Sequence, residues 1–85
     1  MNARVILMLT DYIKAAMKGA KFERLRDGTI YGSIPSFQGV WANAKTEAVC
    51  RRELQEVLEE WMLLRLKHDL PLPVVSDLDL NRIAA

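Results

Sequence analysis

The chain has 85 residues, a net charge of +1 and hydrophobic residues at 51% of its positions. This length suits one domain over residues 1–85, and the hydrophobic content argues against a disordered chain. A single cysteine excludes an internal disulfide. The apolar run Val5 to Leu9 is too short to span a bilayer. We therefore expect a cytoplasmic domain without membrane contact, with its core at about 10–70 and a tail or edge strand over 71–85.

Charge is distributed unevenly along the sequence. Residues 1–45 contain seven basic and three acidic side chains, whereas residues 46–85 contain five basic and eight acidic ones. Such asymmetry can steer a charged partner toward one face of a protein. The basic excess of the first half stays below that of a dedicated nucleic-acid-binding domain. The composition therefore argues against autonomous nucleic-acid binding.

A short N-terminal helix is the first predicted element. Thr10 or Asp11 can cap it, apolar residues recur at helical spacing after them, and Gly19 suits its C-terminal end. A strand is expected to follow at about 20–26.

A hairpin turn is predicted at Asp27-Gly28, because these residue types tolerate the positive φ angles of two-residue turns. The second strand is expected at 29–34, where apolar and polar residues alternate. This turn would place Leu25 opposite Ile30. Apolar residues of the first strand then point to both faces, so the sequence requires either a bulge or cover on both sides of the sheet.

A third strand and a long helix complete the predicted core. Pro35 ends the second strand, the third strand is expected at 40–44, and the helix at 46–68 with Thr46 as its N-cap. One narrow apolar stripe runs along this helix: Cys50, Leu54, Val57, Trp61, Leu64 and His68, with Leu58 at its edge. In the tail, an edge strand could be formed by Val75, Leu78 and Leu80.

The length of this helix predicts self-association. At about 1.5 Å per residue it would measure roughly 35 Å, which exceeds the ~30 Å diameter of a compact protein of this size. Its last turns also carry apolar residues on the side opposite the stripe. We therefore expect a homodimer or tetramer. The residues assigned to its interface are Trp61, Met62, Leu63 and Leu66.

Reactive residue types are too few to form a catalytic site. His68 is the only histidine and Cys50 the only cysteine, which leaves no zinc-ligand spacing and no nucleophile with a base beside it. Glu56, Glu59 and Glu60 share one side of the long helix, where a solvated face or a docking surface is expected rather than a metal cluster. We expect no enzymatic activity, no metal and no cofactor.

Basic residues around the hairpin allow a different interpretation. They accompany Phe22 and Tyr31, and such a combination can bind RNA by base stacking and phosphate contacts. These residues are Lys14, Lys18, Lys21, Arg24 and Arg26. A charged outer sheet face that prevents aggregation is the favoured alternative. Phe37 and Trp41 can be core residues or anchors for a partner.

The order of these parts resembles the HicB family of bacterial antitoxins in its single-domain form. The resemblance is carried by Asp27-Gly28, Tyr31, Ile34-Pro35, Gly39-Val40, Ala42, Thr46, Leu54, Leu58 and Trp61, followed by Pro71 and Pro73. It covers about residues 10–80. The sequence departs from the family pattern at Ala44-Lys45, where Gly-Asp is common, and at Val49-Cys50, where Glu-Ala is common.

The predicted elements form an α+β domain: a short N-terminal helix, a three-stranded antiparallel meander and a long helix packed on the sheet. The resemblance implies a partial ribonuclease-H-like fold without its catalytic carboxylates. It also implies an antitoxin that neutralises a small HicA-type toxin, an mRNA-cleaving protein of a type II toxin–antitoxin system. Toxin contacts are assigned to Tyr31, Phe37, Trp41, Glu56 and Glu59.

Many HicB-like proteins carry a C-terminal DNA-binding domain. The tail after the long helix is too short for such a domain, so direct DNA binding is not expected. Three alternatives stay open from the sequence. The protein could be an RNA-binding regulatory module that uses the basic hairpin, an oligomeric scaffold, or a degenerate nuclease built on Glu56 and Glu59.

Overall fold

The computed structural model describes residues 3–75. Its elements in sequence order are α1 (Ala3–Lys18), β1 (Lys21–Arg24), β2 (Ile30–Ser33), β3 (Trp41–Ala44) and α2 (Glu47–Lys67). The three strands form an antiparallel meander in the order β1-β2-β3. Helix α2 packs mainly on β3 and β2, and α1 packs on α2. The predicted α+β architecture is confirmed.

Helix α1 begins well before the predicted cap. Thr10 and Asp11 lie inside it, so the predicted N-terminus was wrong. The preceding segment is rich in helix-forming Ala, Leu and Met and contains no Gly or Pro to interrupt a helix. A capping residue type starts a helix only where the residues before it leave the helical conformation. The end of α1 agrees with the prediction, since the Gly19 amide donates to the Ala16 carbonyl at 3.0 Å.

The β1–β2 hairpin has a three-residue loop instead of the predicted two-residue turn. The Gly28 amide donates to the Leu25 carbonyl at 3.0 Å, and the Leu25 amide donates to the Thr29 carbonyl at 2.8 Å. Gly28 has a φ of 87°, which is the conformation of a glycine bulge after a turn. The register therefore differs by one residue from the prediction, and Arg24 faces Ile30.

The bulge explains why the apolar residues of the first strand did not alternate. Leu25 leaves the ladder and is 37% exposed. Phe22 pairs with Gly32 and packs against the core on the face that α2 covers. Of the two explanations that the sequence left open, the structure has the bulge.

The buried side of α2 differs from the predicted stripe at its C-terminal half. Its buried residues are Cys50, Leu54, Leu58 and Met62. This line of residues, spaced four apart, winds around a helix, and here it turns toward α1, where Leu9 and Ile13 lie beside Met62. Leu64 and His68, which were predicted on the stripe, are exposed. The predicted stripe was wrong in this half because it was derived from the sequence of α2 alone and did not include the contact with α1.

Thr46 is the N-cap of α2, as predicted. Its backbone is extended (φ −129°, ψ 158°), and its hydroxyl oxygen accepts the Val49 amide at 3.2 Å. Glu47 follows in the first turn, where a negative charge is favourable to the helix dipole.

Removing this cap is expected to lower the free energy of unfolding. Thr46→Ala should cost about 1 kcal/mol, because the Val49 amide loses its acceptor. Thr46→Ser, which keeps the hydroxyl oxygen, should leave the free energy of unfolding nearly unchanged, because serine caps a helix at least as well as threonine. Urea denaturation followed by circular dichroism measures both variants. Equal stability of the alanine and serine variants would contradict a capping role.

The segment after α2 returns over the core. Asp69 has a φ of 55°, and the backbone beyond it buries Leu72 to 3% exposure. The Tyr12 hydroxyl, on α1, donates to the Pro73 carbonyl at 2.6 Å. Val75 forms a single β-bridge. The other residues of the predicted edge strand, Leu78 and Leu80, lie outside the described residues.

Candidate binding surface

One face of the sheet packs on α2 and the opposite face carries exposed side chains. The strand register aligns two rows on that opposite face, which we call the open sheet face. Its residues are Lys21, Ser33 and Trp41 in one row, and Glu23, Tyr31 and Asn43 in the other. Their alternation with the buried residues of β2 and β3 follows from the two-residue period of a strand.

An aromatic stack lies on the open sheet face. The rings of Tyr31 and Trp41 are 6.0 Å apart between centroids, at an interplanar angle of 23°. Tyr31 is on the central strand and Trp41 on the neighbouring strand, one row away, which is the diagonal contact that large side chains make across a sheet. Trp41 remains 54% exposed. Exposed aromatic residues on a rigid sheet are typical of the anchors of protein interfaces.

A series of hydrogen bonds fixes one end of this surface. The Asn43 side-chain amide donates to the Thr29 hydroxyl at 2.8 Å and to the Ile30 carbonyl at 3.0 Å. The Thr29 hydroxyl and amide donate to the Asp27 carboxylate at 2.6 and 2.9 Å. These bonds, the hydroxyl first, lower the pKa of Asp27. Sequence reasoning missed Asn43, although its alternation with Trp41 in the third strand was a signal.

Among the predicted toxin contacts, only Tyr31 and Trp41 are brought together. Phe37 is 2% exposed, and its ring packs edge-on against Tyr12 at 6.1 Å and Trp61 at 5.2 Å. The corner after β2 turns inward, so the side chain of Phe37 belongs to the core and has no surface for a partner.

The two predicted acidic contacts lie on α2, away from the open sheet face. Glu56 lies on the solvent side of the helix with Arg52 and Gln55. Glu59 borders a groove between α1 and α2. The predicted toxin-binding set is therefore split between the sheet, the core and the helix.

The predicted oligomer residues also separate. Met62 is 3% exposed because it packs beside α1, so it offers very little area to a second copy. Trp61 and Leu66 are partly buried, and Leu63 is 67% exposed. The groove that these helices form has a volume of about 200 Å³. It is lined by Leu9, Ile13, Glu59, Met62, Leu63 and Leu66.

The basic residues around the hairpin do not share one face. Lys21 is on the open sheet face, whereas Arg24 is in the row that faces α2 and donates to the Gly28 carbonyl at 3.1 Å. Phe22 lies under the Arg51 guanidinium, which is 4.8 Å from its ring centroid. Its ring is therefore occupied and not placed to stack on a base.

The lone cysteine and histidine occupy structural positions. Cys50 is fully buried, with its sulfur 3.6 Å from the Ala42 carbonyl oxygen. Burial, with a smaller effect of Glu53, raises the pKa of the Cys50 thiol, which keeps it protonated at neutral pH. His68 is the exposed C-cap of α2. Within residues 3–75, no group of three or more His, Cys, Asp or Glu residues is placed to hold a metal.

A comparison with known protein families finds a match. A family model described as UPF0150-like matches residues 11–73. The chain belongs to the UPF0150-like family. In this UPF0150-like protein, the matched region includes the whole open sheet face and all of α2. The comparison with curated proteins finds no match.

A solved structure has a similar fold. The crystal structure of TTHA0281 from Thermus thermophilus superposes with a TM-score of 0.80 at 36% sequence identity. The alignment covers 85% of this chain and 90% of that chain. The UPF0150-like protein thus shares its architecture with nearly the whole of TTHA0281. None of the helices in the described part is long and apolar enough to cross a bilayer.

Proposed function

We propose that this protein is a non-catalytic antitoxin of the HicB type, which binds and neutralises a small HicA-type mRNA-cleaving toxin. Three findings support the proposal: membership of the UPF0150-like family, the three-stranded meander under a long helix, and the open sheet face. The observation that carries it is the stacked, exposed pair of Tyr31 and Trp41.

The physical case for binding rests on what this pair offers. Tyrosine and tryptophan bury roughly 150–250 Å² each in an interface and lose little side-chain entropy when they are already held in place. Here the stack holds both rings, and the strands beneath them are fixed by the core. A partner that covers Trp41 therefore gains apolar burial at a small ordering cost.

The proposed mechanism is stoichiometric occlusion. The antitoxin covers the surface on which the toxin binds RNA, so the toxin is inhibited without any reaction on the antitoxin. The buried, protonated thiol of Cys50 and the capping role of His68 agree with a protein that performs no chemistry. An mRNA-cleaving partner would place the complex in the cytoplasm.

The test uses the purified full-length protein and the protein encoded by the adjacent reading frame, expected to be a short basic protein. Cleavage of a reporter RNA by that protein should stop at a stoichiometric amount of the antitoxin, and the antitoxin alone should leave the RNA intact. RNA cleavage by the antitoxin alone would overturn the proposal. Salt-dependent RNA binding by the antitoxin alone, without inhibition, would favour the RNA-binding alternative instead.

We also propose that the protein self-associates through the groove between α1 and α2. The support is the exposed Leu63 beside a mostly apolar lining. Leu63→Lys should convert the oligomer to a monomer at tens of micromolar, because a charge would be buried in the contact. Leu64→Lys, at a similarly exposed position on another side of α2, is the control and should leave the mass unchanged. Light scattering measures both, and a monomeric wild-type protein would contradict the proposal.

A further inference from the structure

Arg65 is held in place from two sides. Its Nε donates to the Pro71 carbonyl at 2.8 Å, and its guanidinium carbon lies 4.7 Å from the centroid of the Trp61 ring. The ring and the hydrogen bond together fix the plane of the guanidinium group. An arginine fixed in this way has already lost the side-chain entropy that a mobile arginine loses when it binds a ligand.

Both terminal nitrogens of Arg65 remain available. Within residues 3–75 they have no hydrogen-bond or ion-pair partner, and the acidic Asp69 nearby in sequence makes no ion pair with them. Arg65 is itself partly buried. A guanidinium that is held in one orientation and has open N–H groups is a favourable site for a planar oxyanion.

A cleft of about 470 Å³ lies beside this guanidinium. It runs between the corner after β2 and the segment after α2. Its lining residues are Ser36, Gln38, Trp61, Arg65, Pro71, Leu72 and Pro73. Apolar walls with a few polar groups and one fixed charge are typical of ligand sites.

The lining also defines the charge of the ligand. Arg65 is the one charged residue among the cleft residues, so it compensates a single negative charge. Arg65 covers a face of Trp61, and Phe37 packs against the same ring at 5.2 Å. The ring therefore has little area left for stacking on a base, which disfavours a nucleotide.

We infer that this cleft is a carboxylate-binding site, in which the terminal nitrogens of Arg65 receive the two carboxylate oxygens and the proline walls contact an adjoining apolar group. The ligand class is a peptide carboxylate next to a leucine-like side chain, either at an acidic residue or at the C-terminus of a peptide. Arg65 binds the carboxylate, and Trp61 holds the Arg65 guanidinium in position. The inference does not depend on the proposed antitoxin function.

The test follows the Arg65 Nε–H and the Trp61 indole N–H by NMR during titration of the full-length protein. One probe is the capped peptide Leu-Asp-Leu with an amidated C-terminus, and the other is capped Leu-Leu with a free C-terminus. Saturable shifts of both signals are expected with at least one of them. The probe that binds identifies the source of the carboxylate.

Matched controls separate a built site from a nonspecific charge effect. Arg65→Lys should weaken binding about tenfold or more, because lysine lacks the planar pair of donors. Lys67→Gln removes an exposed charge from the same helix turn and should change affinity less than about twofold. The uncharged probes, with Asn in place of Asp or with an amidated Leu-Leu, should not bind.

The same titration is made with the Asp77→Asn/Asp79→Asn variant, because the carboxylates of these two residues have the same chemistry as the probes. The absence of saturable shifts in both proteins would overturn the inference. So would equal binding of the charged and uncharged probes. The comparison of probes needs no variant, so it remains decisive if Arg65→Lys fails to fold.

Discussion

Replacing Gly32 with valine is expected to lower the free energy of unfolding by about 3 kcal/mol, and with alanine by about 2 kcal/mol. A Cβ atom at this position would lie 2.8 Å from a ring carbon of Phe22 and 2.9 Å from the sulfur of Cys50. Neither neighbour can move easily, since the Arg51 guanidinium packs over the Phe22 ring and Cys50 is a core residue of α2. For a protein of this size such a loss is a large fraction of the total stability.

The control for Gly32 is another glycine of the same protein. A Cβ atom at Gly19 would make only an ordinary contact, 3.4 Å from the Ala16 carbonyl oxygen, so Gly19→Ala should change stability by less than about 1 kcal/mol. Denaturant unfolding measures all of them. A Gly32→Ala variant as stable as wild type would contradict the packing described for β2.

If the proposed toxin binds the open sheet face, Trp41→Ala is expected to weaken that binding about 30-fold to 1,000-fold, which corresponds to roughly 2–4 kcal/mol at an interface hot spot. The same change should cost the fold at most about 1 kcal/mol, because the side chain is 54% exposed and loses mainly its contact with Tyr31. Binding and stability should therefore separate in this variant. Calorimetric titration gives the affinity, and thermal unfolding gives the stability.

Matched variants locate the effect. Trp41→Phe keeps an aromatic ring and should retain much of the affinity. Glu56→Gln changes an exposed charge on α2, away from the open sheet face, and should leave the affinity within about twofold. If Glu56→Gln lost affinity and Trp41→Ala did not, the partner would contact α2, and binding through the open sheet face would be contradicted.

Local signals in the sequence predicted most of the elements. The Thr46 cap, the end of α1 at Gly19 and the alternation of β2 each depend on neighbouring residues, and each appears in the structure. The hairpin register could not be fixed in this way. Asp27-Gly28 fits a two-residue turn and a bulged three-residue loop equally, because both need a positive φ at the glycine.

The misplaced residues were those whose surroundings come from distant parts of the sequence. Met62 was predicted on the surface because a projection of one helix does not include the cover by α1. Phe37 lies in a corner whose direction no local pattern specifies, and it is buried between Tyr12 and Trp61. The neighbourhood of Tyr31 and Trp41 depends on the β2–β3 register, which is set by the packing of the whole sheet.

Binding through the open sheet face is tested most directly by an NMR map of this protein in complex with the proposed toxin. We expect the largest shifts at the Trp41 indole N–H and at the amides of β2 and β3, with small shifts along the solvent side of α2. Shifts confined to the region of Glu56 and Glu59, with the Trp41 indole signal unchanged, would contradict binding through the open sheet face.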